Sequence, residues 1–191
     1  MIYAWQQEQY NRLVKAYLSG TMPHALLLHG LAGVGKYDVA SQLANTVLCE
    51  KAASLPCGSC ESCRWFEAGS HPDMFEVRPE EKSKVIKISQ IRSLIQRLQK
   101  TAQKRYQVVI LHPADQLNRA AANALLKTLE EPAGAVLIML LSDRPSRLPA
   151  TILSRCQRVS FQVNDSRLAV EWIKDNCPGQ DADLLFRQTM V

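Results

Sequence analysis

The sequence has no apolar run close to the roughly 20 residues that a membrane-spanning helix needs. Its first residues, Met1-Ile2-Tyr3-Ala4-Trp5, also lack the charged-then-apolar pattern of a secretory signal. These absences argue against a membrane-spanning or exported chain, and we expect a cytoplasmic protein. A length of 191 residues with 47% hydrophobic content fits about one globular domain and part of a second.

Cysteine is scarce, but four of the six cysteines lie in one short interval. In a cytosolic protein such clustering indicates a metal site rather than disulfides. Four thiolates form the preferred tetrahedral shell of structural zinc and leave no open position for water. We therefore predict a structural zinc ion bound by Cys49, Cys57, Cys60 and Cys63. Reduced structural cysteines or a redox pair are the alternatives, and Cys156 and Cys177 are predicted to be core residues.

A glycine-rich turn between an apolar strand and a helix is the central motif. The run Ala25–Leu28 predicts a buried parallel strand, and the segment from Tyr37 to Leu48 predicts a helix. The turn between them has the Gly-x4-Gly-Lys spacing of a phosphate-binding loop, in which backbone N–H groups surround an anion at a helix N-terminus. The candidate nucleotide-binding residues are Gly30, Gly33, Gly35 and Lys36.

An ATPase built on this loop needs two kinds of magnesium ligand, and the sequence lacks both at the expected positions. A Ser or Thr hydroxyl should follow the lysine, but the residue is Tyr37, whose phenol cannot take that place. An acidic residue should follow the apolar strand Val108–Leu111, yet His112-Pro113 stands there. Asp115 lies too far along and is interpreted as a cap or turn residue. We predict a degenerate P-loop without hydrolysis, and ATP binding stays open.

Hydrophobic periodicity predicts alternating helices and strands. Predicted helices cover residues 5–19 and 61–68 and the segments capped by Ser89 and Asn118, and predicted strands cover 74–77, 85–88, 107–111, 135–141 and 158–163. This alternation predicts an α/β fold whose parallel sheet is covered on both faces. Asn164-Asp165-Ser166 is interpreted as a boundary, because a new helical pattern begins at Leu168. The chain is expected to end inside that second, helical domain.

Two longer motifs carry a specific resemblance. The run VVILHPADQLNRAAANALLKTLEE, from Val108 to Glu131 with Pro132 after it, resembles the Walker B strand and following helix of bacterial clamp-loader subunits of the AAA+ family. The segment Leu148–Cys156, which ends in Ser154-Arg155-Cys156, resembles the Ser-Arg-Cys motif of that family. The four-cysteine insertion after the P-loop helix belongs to the same pattern, so the resemblance covers about residues 5 to 175.

The resemblance implies a RecA-like AAA+ P-loop domain over residues 1–163, with a structural zinc module at residues 49–63. It also implies that residues 164–191 begin a helical lid domain and that the family's C-terminal collar domain is absent from this chain. Because oligomerisation in the family rests largely on the collar, we expect this chain to be monomeric in isolation.

The resemblance also implies a function. The loss of the Walker B acidic residues resembles the pattern of the family's non-hydrolysing subunit rather than that of its ATP-hydrolysing tau/gamma subunit. Arg155 then corresponds to an arginine finger that neutralises charge at a neighbour's γ-phosphate, with an interface salt bridge as the alternative. The expected role is a non-catalytic subunit of the DNA polymerase III holoenzyme. Its expected partners are the tau/gamma and delta subunits, primed DNA and, indirectly, the sliding clamp.

Two other functions stay open. An ATP-hydrolysing motor of the same family is supported by Gly30, Gly35 and Lys36 and opposed by Tyr37 and His112. A zinc-dependent nucleic-acid-binding module would use the net charge of +5 and the segment from residue 82 to residue 105, which has eight basic residues and no acidic one. This segment is interpreted as a solvated face first and a DNA contact second.

The two histidines near these motifs receive structural interpretations. His71 is interpreted as a turn residue before Pro72, because four cysteines already complete a zinc shell. His112 occupies the position of a catalytic carboxylate without being able to bind magnesium as a carboxylate does. It is interpreted as a relic or an interface residue.

Overall fold

The structure is a computed structural model that describes residues 2–51, 55–81, 83–100, 102–163, 167 and 170. Five strands alternate with helices along the described chain. The strands are β1 (Ala25–His29), β2 (Met74–Val77), β3 (Gln107–Leu111), β4 (Val136–Ser142) and β5 (Gln157–Ser160). The helices are α1 (Gln7–Leu18), α2 (Lys36–Leu48), α3 (Glu61–Glu67), α4 (Ile88–Leu98), α5 (Arg119–Glu130) and α6 (Ala150–Leu153), and short 3-10 turns cover Ala4–Gln6, Ala114–Gln116 and Pro145–Arg147.

The strands form one parallel sheet in the order β2-β3-β4-β1-β5. Successive side chains of a strand point to opposite faces, so the apolar run of β4 supplies both cores. Val136, Ile138 and Leu140 pack with residues of α4, α5 and α6 on one face. Leu137, Met139 and Leu141 pack with α1 and α2 on the other face. The predicted α/β fold with a doubly covered parallel sheet is confirmed.

Two predicted strands differ from the structure. The segment 85–88 is not a strand: only Ile86 pairs, through an isolated bridge to Leu117, while Val85 stays 40% exposed. Helix α4 begins at Ile88 instead of after Ser89, because the Gln90 side chain accepts a hydrogen bond from the Lys87 N–H at 3.0 Å and caps the helix two residues earlier. The last strand ends at Ser160 and not at residue 163.

The predicted boundary at residues 164–166 and Cys177 lie outside the described residues, as does the helical pattern from Leu168 onward apart from residue 170. Within the described part of the chain, none of the helices has the length and apolar character required to cross a bilayer.

Candidate functional site

The glycine-rich loop joins β1 to α2 at the carboxyl edge of the sheet, where parallel α/β folds bind ligands. Gly33 and Gly35 have φ values of 78° and 81°, a left-handed conformation that glycine adopts without steric cost. A Cβ atom at Gly35 would overlap the Tyr3 ring and the Gln6 side chain. The Gln6 amide also donates a hydrogen bond to the Val34 carbonyl, so the N-terminal turn packs directly against the loop.

Lys36 makes its polar contacts inside the protein. Its side chain is only 4% exposed, and Nζ donates hydrogen bonds to the carbonyls of Gly30 at 2.9 Å and Leu31 at 2.6 Å. The same Nζ lies 2.7 Å from Oδ1 of Asp143, which directly follows β4. An ammonium group has three N–H donors, and this geometry engages all three. A phosphate could contact Lys36 only after one of these contacts opens.

Tyr37 stands where a magnesium-binding hydroxyl is expected, and its ring belongs to a packed polar cluster. The ring centroids of Tyr37 and His112 are 5.8 Å apart, and the Arg78 guanidinium carbon lies 4.8 Å from the Tyr37 centroid. The phenol O–H points to Oε2 of Glu76 at 3.4 Å. Burial, followed by the Glu76 charge, raises the pKa of Tyr37. The phenol is therefore a neutral group directed toward the end of β2.

His112 follows β3 at the position where a Walker B carboxylate is expected. Burial is the main cause that lowers the pKa of His112, and the positive charge of Arg78 adds to it. The ring is therefore neutral near pH 7. Nδ1 of His112 is buried and has no hydrogen-bond partner among the described residues. A neutral imidazole beside the Tyr37 ring offers no negative charge for magnesium.

Asp115 has a clearer role than the cap or turn interpretation gave it. Its Oδ1 accepts hydrogen bonds from Ser142 Oγ at 2.9 Å and from the Asp143 N–H at 3.2 Å. The carboxylate thereby fixes the end of β4 and the residue that pairs with Lys36. No sequence periodicity could indicate this contact, because it joins residues 27 and 28 positions apart.

The four predicted zinc ligands come together in the structure. Their Sγ atoms all lie within 4.8 Å of one another, with Cys49 to Cys60 and Cys57 to Cys63 at 4.0 Å. A disulfide needs about 2.05 Å between its sulfur atoms, so these pairs are free thiols. A tetrahedron of four sulfurs at about 2.3 Å from a central ion has edges of about 3.8 Å, which this cluster fits. The site is suited to hold a metal ion.

Backbone donors surround the cysteine cluster. The Sγ atoms of Cys49, Cys57 and Cys60 accept hydrogen bonds from backbone N–H groups at 3.3 to 3.4 Å. Hydrogen bonds from Ser59 are the largest cause that lowers the pKa of Cys57 to about 5. Burial raises the pKa of Cys63. Such donors stabilise the thiolate form that a metal requires.

A buried series of polar contacts connects the cysteine module, which is residues 49–63, to the sheet. Sequence reasoning missed these contacts. Ser62 donates a hydrogen bond to the Leu48 carbonyl and lies 2.6 Å from Nε2 of His71. Nδ1 of His71 accepts from the Asp73 N–H, and the Asp73 carboxylate accepts from the N–H groups of Gln103 and Lys104. Burial lowers the pKa of His71, which keeps the ring neutral. His71 is thus a linking residue and more than a turn residue.

Arg155 lies at the edge of the sheet formed by the amino ends of the strands, because it precedes β5 and contacts the last residue of α5. The P-loop lies at the opposite edge, formed by the carboxyl ends. Its Nε and Nη2 donate to Oε1 of Glu130, with 2.7 Å for the Nε contact. Its Nη1 donates to the Thr151 carbonyl at 2.9 Å and to Ser154 Oγ at 3.2 Å. Arg155 cannot reach its own P-loop across the sheet. The adjacent Cys156 is a buried core residue, as predicted.

The basic segment is divided between paired and solvated residues. Nζ of Lys104 lies 3.0 Å from Glu61 and 3.1 Å from Glu50, and it lies over the Trp65 ring. Lys87 pairs with Glu80 at 2.7 Å. The remaining described basic residues of the segment are exposed: Lys84, Arg92, Arg97, Lys100 and Arg105. Lys104 therefore serves the cysteine module, and Lys82 lies outside the described residues.

Comparison with known proteins decides the family. The family model described as DNA polymerase III, delta subunit, matches residues 5–165. The chain belongs to this family. It is 41% identical over 186 residues to DNA polymerase III subunit delta′ of Pseudomonas aeruginosa, an alignment that covers 96% of this chain and 56% of the relative. The chain therefore spans little more than half the length of that protein.

Proteins named as other DNA polymerase III subunits are also similar. The chain is 36% identical over 162 residues to DNA polymerase III subunit tau of Salmonella typhimurium, covering 84% of this chain and 25% of the relative. A crystal structure of a DNA polymerase III gamma-subunit-related protein from Thermotoga maritima superposes with a TM-score of 0.66 at 24% identity, covering 96% of this chain and 54% of that one. This likeness confirms the RecA-like AAA+ fold, and the resemblance to clamp-loader subunits is confirmed.

Proposed function

We propose that this chain acts as the non-hydrolysing delta′ subunit of a bacterial DNA polymerase III clamp loader. In that role it helps to load the sliding clamp onto primed DNA beside the tau/gamma and delta subunits. The observation that carries the proposal is Lys36, whose donors are engaged by two carbonyls of its own loop and by Asp143. A cytoplasmic location follows from this proposed role, because bacterial DNA lies in the cytoplasm.

The surroundings of Lys36 support the absence of turnover. ATP hydrolysis on a P-loop needs magnesium held by a hydroxyl and a carboxylate, and it needs a group that orients water. Tyr37 and His112 occupy the two ligand positions and pack against each other at 5.8 Å. The carboxylate of Asp143 also adds negative charge beside the place where phosphate would bind. Tyr37 and His112 therefore oppose magnesium binding, and the Asp143 carboxylate opposes phosphate binding.

Arg155 has a different task in this proposal, which is to act on a neighbouring subunit's nucleotide. A guanidinium placed at a γ-phosphate neutralises the charge that develops during phosphoryl transfer, and such residues raise turnover by about 10³ to 10⁵. Its position at the far edge of the sheet supports a role in trans. The chain thus contributes to hydrolysis without having a working site of its own.

The metal in the proposal is zinc, held by Cys49, Cys57, Cys60 and Cys63. Four thiolates complete its shell, so the ion supplies structural stability and no reaction chemistry. The hydrogen bonds to the sulfur atoms and the buried polar contacts through Ser62 and His71 support a rigid module fixed to the sheet.

The test is ATP binding and hydrolysis by the full-length, zinc-replete subunit, with and without magnesium. We expect weak metal-independent binding or none, and no turnover, for the wild type and for Lys36→Ala alike. Calorimetry measures the binding, and phosphate release measures the turnover. The second candidate is a tau-like motor, which the 36% identity to tau favours. Magnesium-dependent turnover that Lys36→Ala abolishes would establish that candidate instead.

A further inference from the structure

The guanidinium of Arg155 is almost fully engaged within its own chain. A guanidinium has five N–H donors. Two of them point to Oε1 of Glu130, one to the Thr151 carbonyl and one to Ser154 Oγ. Only one N–H direction, on Nη2, is left by this arrangement. Recognition of phosphate by arginine typically uses two parallel N–H donors, so this conformation cannot make that contact.

The contact to Glu130 is built so that it can open. The Arg155 side chain is 30% exposed and that of Glu130 is 48% exposed. Ion pairs at such positions are weak, because water screens the charges and both side chains gain freedom on separation. Glu130 is also the last residue of α5, where its carboxylate faces the negative end of the helix dipole. A more highly charged acceptor can therefore compete for the guanidinium.

A nucleotide's γ-phosphate is such an acceptor, since it has more negative charge than one carboxylate and offers several oxygens in a geometry suited to arginine. The Thr151 carbonyl and Ser154 hydroxyl are neutral and bind arginine less strongly than a charged group does. The Glu130 contact is therefore the principal interaction that holds the side chain back. Its loss would leave Arg155 with only neutral partners on α6 and the residue after it.

We propose that Glu130 is a positioning residue that keeps Arg155 retracted until a neighbouring subunit's nucleotide draws the guanidinium away. This inference rests on the proposed role of Arg155 as a trans-acting arginine finger. Glu130 thereby suppresses hydrolysis at the neighbouring site while the two subunits are loosely apposed. Retraction and release are set by competition between one carboxylate and a phosphate for the same N–H donors.

The first test measures retraction directly in the full-length, zinc-replete subunit. Phenylglyoxal modifies accessible arginines, and mass spectrometry gives the rate at each site. We expect Glu130→Gln to raise the rate at Arg155 by about twofold to fivefold, the range for an exposed ion pair. The matched control is Glu131→Gln, which removes the same charge one residue away, and the exposed Arg119 is the internal reference. An unchanged rate at Arg155 would overturn the proposal.

The second test measures ATP turnover by the loader assembled from full-length subunits, without clamp or DNA. We expect Glu130→Gln to raise this turnover by about twofold to fivefold, with no rise for Glu131→Gln. The double variant with Arg155→Ala should show no rise, because Glu130 acts through Arg155. A fall to the Arg155→Ala level would overturn retraction in favour of productive positioning. If Arg155→Ala alone changes nothing, the finger role fails, and the modification rates still decide whether Glu130 retracts Arg155.

Discussion

Lys36 carries a buried positive charge, and all three of its N–H donors are engaged within the protein. None of them is left for a ligand. Two of the partners are backbone carbonyls, which a side-chain substitution cannot remove, and the third is the partly exposed carboxylate of Asp143. The Lys36–Asp143 ion pair therefore contributes to folding stability. Its contribution lies below that of a fully buried pair, because solvent screens Asp143.

A double-mutant cycle measures this contribution. We expect Asp143→Asn and Lys36→Met each to lower the free energy of unfolding, and the double variant to lose about 1 to 2 kcal/mol less than the sum of the single losses. Urea unfolding of the zinc-replete chain followed by circular dichroism provides the four values. Strictly additive losses would contradict the Lys36–Asp143 contact.

The cysteine module is the element whose influence extends furthest from its own residues. Ser62 and His71 connect α3 to the start of β2, and Asp73 fixes the segment before β3. Lys104 returns to the module through Glu50 and Glu61. These contacts run from the module to residues 71–73, on to residues 103–104, and back to the module. Loosening of the module should therefore reach residues 102–106, which lie about 40 residues further along the sequence than Cys63.

Hydrogen exchange tests this connection. We expect chelation of the metal, or Cys63→Ser, to raise amide exchange by about tenfold or more at residues 102–106 while the buried β4 amides stay protected. His71→Gln should raise exchange at the same residues with the metal content unchanged. Cys156→Ala serves as the control, since its thiol lies outside the module. Equal exchange in residues 102–106 before and after chelation would show that the module is isolated.

The elements that sequence could predict are those with a strong local signal. The apolar runs of β1, β3 and β4 are buried on both faces, and Asn118 caps α5 by accepting from the Ala121 N–H at 2.7 Å, as expected. The strand predicted at residues 85–88 was wrong, because its β-branched residues are fixed by a tertiary contact at Ile86 and by the early start of α4. The local strand propensity of these residues cannot indicate either contact.

The site was also predicted only in part, because some of its features have a local sequence signal and others depend on tertiary contacts. The cysteine cluster follows from spacing, and the sequence also identified Tyr37 and His112 as the residues at the two expected magnesium-ligand positions. The roles of Asp115, His71 and Asp73 could not be predicted, because each depends on polar contacts that only the folded chain creates. The engagement of Lys36 by Asp143 belongs to this group as well.

On the scale of the whole molecule, the P-loop and Arg155 occupy opposite edges of one sheet. In the proposed assembly the Arg155 edge faces a working nucleotide site on the adjacent subunit. We expect Arg155→Ala in the full-length loader to lower turnover at that site by about 10³-fold or more, without a change in the unfolding temperature of the subunit. Single-turnover hydrolysis with nucleotide bound at that site measures the effect. Arg155→Lys should not restore turnover, since ammonium lacks the planar fork.

The opposite placement of these two features gives the subunit a polarity. Head-to-tail contacts join unlike surfaces, so a row of such subunits has two different ends. A chain that offers an arginine at one edge and a closed loop at the other can complete a site on one side only. In the proposed loader it therefore stands as a terminus, at which the succession of nucleotide sites stops.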